Sequence, residues 1–183
     1  MAEAVALFRQ AGVGPVLGGL ASLVWIAFPL FCLVGVQTAY MSGRQNEVWD
    51  VHTPLLLVFL PLWAGDSAAI FAGKAFGKHP LAPSISPKKT WEGATANFAA
   101  CVLAGWGAGY WVGVGSGWGV LVGVLAGLCG QAGDLFESWL KRKASVKDSG
   151  SLLPGHGGIL DRIDSLLFTA VPVTCVYFLI VNR

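Results

Sequence analysis

Charge is what this 183-residue chain has least of. Asp, Glu, Lys and Arg make up 12% of it and hydrophobic residues 55%, where a soluble domain carries about 25% charged residues. The deficit falls in long apolar runs, which excludes a soluble globular domain and points to an integral membrane protein. Cysteine is also sparse: Cys32, Cys101, Cys129 and Cys175 stand apart in apolar stretches, with no CxxC or other metal spacing. They read as small buried hydrophobes, not as disulfides or metal ligands. Segments of about ten residues with alternating polarity are missing, so a membrane β-barrel is excluded. The opening MAEAVALFRQ has no small-residue cleavage site and carries Glu3 ahead of any long apolar run. No removable signal peptide is expected from it. The formal net charge of +2 gives no reason to expect a nucleic-acid partner.

What is present is a set of apolar segments near the length of about 20 residues that a helical span needs. Five are predicted, at about 15–36, 54–73, 94–112, 118–137 and 163–181. Backbone polar groups in lipid must be satisfied within the segment, so each is helical. The expected fold is an all-α polytopic bundle forming one membrane domain over 1–183. Its first part, 1–53, is an N-terminal span and outer loop. The remainder, 54–183, carries charged loops at 74–93 and 138–162. With the N-terminus in the cytoplasm, Arg9, Lys74, Lys78, Lys88, Lys89, Lys141, Arg142, Lys143, Lys147 and Arg162 lie inside, and Arg44 and Arg183 outside. Ten of the twelve basic residues then obey the positive-inside rule, giving an N-in, C-out topology. Alone, the two loops could be positive-inside anchors attracted to anionic headgroups.

The acids argue for more. Asp66 lies within the second predicted span, about 10 Å of helix rise from its cytoplasmic end. Asp134 is near the cytoplasmic end of the fourth, and Asp161 and Asp164 open the fifth. An uncompensated carboxylate at such depth costs several kcal/mol or is protonated. Three helices bringing acids to similar depth suggest compensation, by bound cations or by the basic loops. Gln131, Asp134, Ser138 and Lys141 recur at three- and four-residue intervals and share a helix face, as do Asp161, Asp164 and Ser165. Asp66 has only small neighbours, among them Gly65, Ser67, Ala69 and Gly73. It could also be a plain inter-helix hydrogen-bonding group, while Glu137 and Asp164 could pair with Lys141 and Arg162. A few carboxylates with open positions suit Mg²⁺ shared with substrate phosphates. The surrounding Lys and Arg suit polyphosphate and a phosphate-bearing headgroup. The combination argues for metal-assisted phosphoryl or nucleotidyl transfer onto a lipid.

The loop KAFGKHPLAPSISPKKTWEG contains three prolines and cannot be one helix. Ser86-Pro87 has the form of an N-cap followed by proline at N1, and Thr90 is a second candidate cap for the third span. A helix start beside Lys88 and Lys89 makes an anion site, or merely a capped helix with snorkelling lysines and Trp91 as an anchor. His79 reads as solvated and His52 as incidental. In LLPGHGGILDRID, residues 152–164, glycines surround His156. Gly155, Gly157 and Gly158 let backbone approach phosphate and turn sharply into the last helix.

The stretch SWLKRKASVKDSGSLLPGHGGILDRID, 138–164, resembles the signature of the phosphatidate cytidylyltransferase (CDP-diacylglycerol synthase) family. The matching residues are Ser138, Lys141, Arg142, Lys147, Asp148, Gly150, Leu153, Pro154, His156, Gly157, Gly158, Asp161, Arg162 and Asp164. GDSAAIFAGKAFGKHPLAPSISPKKTWEG and GQAGDLFES resemble the family too. The resemblance implies conversion of CTP and phosphatidic acid to CDP-diacylglycerol and pyrophosphate, with Mg²⁺ and a companion monovalent cation such as K⁺. It implies metal binding at Asp134 and Asp161, with Lys147, His156 and Arg162 as further catalytic residues. The substrate-binding set is Asp66, Lys88, Lys89, Ser138, Lys141, Arg142, Asp148, Gly157, Gly158 and Asp164. Members carry additional N-terminal spans, so this chain is expected to be a short or trimmed member. The expected setting is the bacterial inner membrane, with membrane lipids around the site and the site facing the cytoplasm. The small-residue runs Gly105/Gly109/Gly113 and Gly119/Gly123/Gly127 allow close helix packing within one chain or in a homodimer, which the resemblance favours.

Two other classes remain open at the level of sequence. One is a CTP-dependent lipid kinase, or a cytidylyltransferase acting on an ether or isoprenoid lipid phosphate. The other is a non-enzymatic scaffold or transporter, which has no reason to bear acids on three helices.

Overall fold

The computed structural model describes residues 1–43, 53–150 and 157–182. A short helix α1 (Ala2–Gln10) leads into α2 (Pro15–Ser22), which continues through a π turn (Leu23–Ala27) into α3 (Phe28–Gly43). Then follow α4 (Leu56–Phe76), a two-stranded hairpin β1 (Pro80–Ala82) and β2 (Ser86–Thr90), α5 (Trp91–Val112), α6 (Ser116–Lys143) and α7 (Leu160–Val181). The bundle is helical, and four of its helical segments are long and apolar enough to cross a membrane: Pro15–Met41, Leu56–Phe76, Ser116–Lys143 and Leu160–Val181. The chain is an integral membrane protein. The third predicted span corresponds to α5, which has the length but falls outside this apolar set. Its Gly, Trp and Tyr residues, with Thr95 and Asn97, dilute its hydropathy.

Those same glycines explain where α5 sits. Gly105 and Gly109 face Gly119 and Gly123 across the α5–α6 turn, where Gly113 and Gly115 adopt positive φ. A Cβ on Gly109 would lie 2.6 Å from the Gly119 Cα and 2.7 Å from the Gly115 carbonyl oxygen. The small-residue runs are therefore used within the chain to seat α5 on α6. Gly109→Leu should force these helices apart at the backbone, where side-chain repacking offers no relief. Overpacking costs about 1–3 kcal/mol, so the variant should melt well below the wild type in detergent, a shift read by thermal unfolding.

The main core joins Leu33 of α3, Leu57 and Leu62 of α4, Ala108 of α5, Val122 and Ala126 of α6, and Ala170 and Val173 of α7. A second cluster lies at the charged end of the bundle. There Ala4 and Leu7 of α1 pack with Ile26, with Leu140 near the end of α6, and with Leu160 and Leu167 of α7. Trp25, in the π turn, stands edge-on to both Phe8 and Phe136, with ring centroids 5.8 and 5.1 Å away. Helix α1 thus lies against the ends of α6 and α7.

Its Glu3 has a further task. The first amides of a helix lack internal acceptors, and no side chain at the α7 N-cap, Ile159, supplies one. Glu3 does so from 156 residues away: Ile159 N donates to its Oε1 at 3.2 Å and Leu160 N to its Oε2 at 3.0 Å.

The 74–93 segment differs from expectation. Ser86-Pro87 does not start a helix; Ser86–Thr90 is a strand paired antiparallel with Pro80–Ala82. Proline is tolerated there because a two-stranded hairpin consists only of edge strands. Thr90 is the true cap, its Oγ1 accepting from Gly93 N at 3.2 Å. Likewise α6 runs on to Lys143, beyond the predicted end at 137. Its last turn carries Lys141, Arg142 and Lys143, whose charge favours a helix C-terminus, while Leu140 is buried.

Candidate active site

Helices α4 and α6 end, and α5 and α7 begin, at the same end of the bundle. A cavity of about 610 Å³ opens there, walled by α4, the hairpin, α5, α6 and α7. Helical spacing delivers its polar groups: Asp66 and Lys74 on α4, Gly93 and Asn97 on α5, Gln131 and Asp134 on α6, Asp161 and Asp164 on α7. Lys88 and Lys89 enter from β2, and Arg162 from α7. Of the residues anticipated from sequence, Asp66, Lys88, Lys89, Asp134, Asp161, Arg162 and Asp164 therefore share one cavity.

Asp134 and Asp161 live in different surroundings. Asp134 is partly open, its side chain 41% exposed, and Oδ2 pairs with Lys89 Nζ at 2.5 Å. Asp161 is fully engaged. Its Oδ1 accepts from Lys141 Nζ at 2.7 Å, and its Oδ2 from Ser149 N and Oγ, both at 3.0 Å, and from Gly158 N at 2.8 Å. Lys141 is shared with Glu137, whose Oε2 accepts at 3.0 Å, so the pairing suggested by i,i+4 spacing is present. Glu137 is buried, and its Oε1 has no partner among the described residues. Asp164 Oδ1 accepts from Ser165 N at 2.7 Å.

Gly157 and Gly158 act through Asp161. Gly157 has φ +82, and a Cβ there would lie 2.8 Å from Asp161 Oδ2. Only glycine adopts this conformation and leaves the carboxylate room. Lys141 likewise reaches the cavity through Asp161. Arg142 turns away and donates from Nε to the Ile85 carbonyl at 3.1 Å, bracing the hairpin. Ser138, Lys147 and Asp148 are not among the cavity-lining residues, and Lys147 and Asp148 are exposed. His156 lies outside the described residues. At the base of the hairpin, His79 Nδ1 and Glu92 Oε1 are 2.6 Å apart. The hydrogen bond from the His79 ring holds the Glu92 carboxyl at about 2, well below its usual range.

Sequence reasoning missed Asn97 as a site residue and placed Gln131 only on the Asp134 face. Asn97 had a signal, as a carboxamide within the small, apolar run ATANFAACVLAG. Glu3 and the hairpin had none that local periodicity could show.

The pattern of the Cytidylyltransferase family matches residues 8–181, nearly the whole chain. The chain belongs to the cytidylyltransferase family. Family relatives named phosphatidate cytidylyltransferase share substantial identity with it. The Brucella suis protein is 47% identical over 147 residues, covering 80% of this chain and 54% of its own length. The Haemophilus influenzae protein is 44% identical over 155 residues, 81% of this chain and 54% of its own. The Mycobacterium tuberculosis protein is 40% identical over 149 residues, 81% of this chain and 43% of its own. The chain spans about half the length of these curated relatives.

Proposed function

We propose that this cytidylyltransferase-family chain carries the catalytic region that converts CTP and phosphatidic acid to CDP-diacylglycerol and pyrophosphate. The observation that carries the reading is the shared cavity, where Lys74, Lys88, Lys89 and Arg162 face Asp66, Asp134, Asp161 and Asp164. A phosphate oxygen of the lipid attacks the α-phosphorus of CTP. A new P–O bond forms, the α–β bond breaks, and pyrophosphate leaves with the bonding pair. The lipid phosphate is itself the nucleophile, so no Ser or Cys is needed. The work left to the protein is positioning and charge neutralisation. Lys88, Lys89 and Arg162 hold the phosphates. Ile70, Leu81 and Leu135, which also line the cavity, provide an apolar wall for the lipid. Lys147 and Asp148 meet the nucleotide from the exposed turn after α6, and His156 belongs to the same proposed set. Ser138 and Arg142 support this end of α6.

Mg²⁺ suits this donor set, because it takes one or two carboxylates and completes its shell with water and substrate phosphates. Among the described residues no cluster of three or more His, Cys, Asp or Glu could hold a metal by itself, so substrate phosphates and water would have to complete the shell. Asp134 fits directly: it faces the cavity, has Lys89 as a displaceable counter-ion, and has no partner on Oδ1 among the described residues. Asp161 would join it by exchanging Lys141 for the ion. When bound, the metal neutralises phosphate oxygens and orients the α-phosphorus. A monovalent cation such as K⁺ as its companion, and a homodimer as the working form, belong to the same proposal. So does the orientation: the charged end faces the cytoplasm of a bacterial inner membrane, where CTP is dissolved.

The test is the purified chain in phosphatidic acid vesicles with Mg²⁺ and radiolabelled CTP. CDP-lipid and pyrophosphate should appear in equal amounts, and EDTA should abolish both. Release of CDP with a new lipid phosphate would instead mark a kinase. Preference for an ether or isoprenoid phosphate in a substrate panel would move the assignment within the family.

A further inference from the structure

A chain of hydrogen bonds with a fixed direction crosses the cavity wall between α4, α5 and α6. Gln131 Nε2 donates to Gly127 O at 2.8 Å, to Ala94 O at 3.3 Å and to Asn97 Oδ1 at 3.2 Å. Backbone carbonyls only accept, so the amide nitrogen of Gln131 must face them and its Oε1 must point elsewhere. Asn97 is oriented in turn. Its Oδ1 receives Gln131 and the Cys101 thiol, so Nδ2 donates onward to Asp66 Oδ1 at 3.5 Å. Asn97 is buried, 7% exposed, which locks the middle of the relay.

Gln131, Asn97 and Asp66 all line the cavity. Both N–H bonds of Gln131 are used in the relay, and Asn97 Nδ2 turns one of its two toward Asp66. Among the described residues, Gln131 Oε1 and Asp66 Oδ2 have no donor. This part of the wall therefore offers acceptors. It repels phosphate, which the cations Lys88, Lys89 and Arg162 attract. It suits a neutral group with two N–H bonds to give.

Building on the nucleotidyl-transfer reading, we propose that Asp66, Asn97 and Gln131 form the base subsite. Gln131 Oε1 and Asp66 Oδ2 accept the exocyclic amino group of cytosine. Cytosine carries a donor at its 4-position. Uracil carries a carbonyl there and would set lone pair against lone pair. The subsite thus selects CTP over UTP through acceptors whose orientation two backbone carbonyls enforce. Asp66 and Gln131 are specificity residues, and Asn97 positions Asp66.

The experiment compares CTP with UTP on the same preparations of wild type, Asp66→Asn and Gln131→Met. It reads kcat/KM for lipid labelling and, without lipid, displacement of trinitrophenyl-CTP in detergent with Mg²⁺. Each ratio comes from one preparation, so the folded fraction cancels. Wild type should prefer CTP, and each variant should lower the CTP:UTP ratio at least about tenfold, the scale of a lost polar base contact. Asp66→Asn should gain in UTP displacement, because its amide can donate to the uracil carbonyl. Wild type that displaces equally with both nucleotides, or variants that lose both in parallel, would overturn the subsite. Parallel loss would assign Asp66 to a cation or phosphate. If wild type labels no lipid, the transfer reading fails, while the displacement ratios still decide the subsite.

Discussion

Asp134→Asn should lower CDP-lipid formation at least about 1,000-fold and leave the melting temperature almost unchanged. The two halves of this expectation come from the same surroundings. Asp134 is partly exposed, and among the described residues its side chain makes one ion pair, to Lys89 of the hairpin. Half-exposed pairs of this kind contribute about 0–1 kcal/mol to folding, so the amide costs little stability. On the proposed reaction the carboxylate has more to do, because it shares the cavity with Lys88 and Arg162. A metal held there supplies several kcal/mol of charge stabilisation, and about 4 kcal/mol corresponds to a factor of 1,000 in rate. The labelled-lipid assay and a thermal melt on one preparation measure both. Near-normal turnover would remove Asp134 from the reaction.

Asp161→Asn should also abolish lipid labelling, but it should unfold the charged end of the bundle as well. Lys141, Ser149 and Gly158 all donate to its two oxygens. An amide turns one acceptor into a donor facing other donors. It also leaves the largely buried Lys141 with Glu137 as its remaining carboxylate. Breaking a buried ion pair from one side costs about 3–5 kcal/mol. A clear drop in melting temperature should therefore accompany the lost activity, together with faster amide exchange at Ser149 and Gly158. An Asp161→Asn protein as stable as Asp134→Asn would show that the carboxylate does not hold the turn. The pair of variants separates a residue that acts on substrate from one that also builds the wall.

How much of this was legible in the sequence depends on the range of each interaction. Span positions came from local apolar length, and the acids from their three- and four-residue spacing on helix faces. Asp66, Asp134, Asp161 and Asp164 accordingly meet in one cavity. The hairpin was hidden because three prolines in PLAPSISP look like loop, and the short pairing that makes it strand carries no periodic pattern. The division of labour between Asp134 and Asp161 was hidden too. It depends on Lys89 and Ser149, from segments whose placement no helix period predicts. Asn97 escaped notice as an isolated amide, although its burial beside Asp66 gives the wall its direction. In α5, the glycines that weaken the apolar signal are the ones that fix its seat against α6.

The cap on α7 has a consequence for how the molecule is made. Glu3 is translated before α7, and its acceptors wait for amides 156 and 157 residues further along the chain. Contacts so distant in sequence close late, since the intervening loop must first be ordered. A nascent chain stalled before Ile159 would contain α4, the hairpin, α5 and α6, yet no finished cavity. Asp161 and Arg162 take their places only when α7 emerges and meets α1. Assembly therefore withholds a complete set of cavity-lining charges from the membrane until α7 has been inserted.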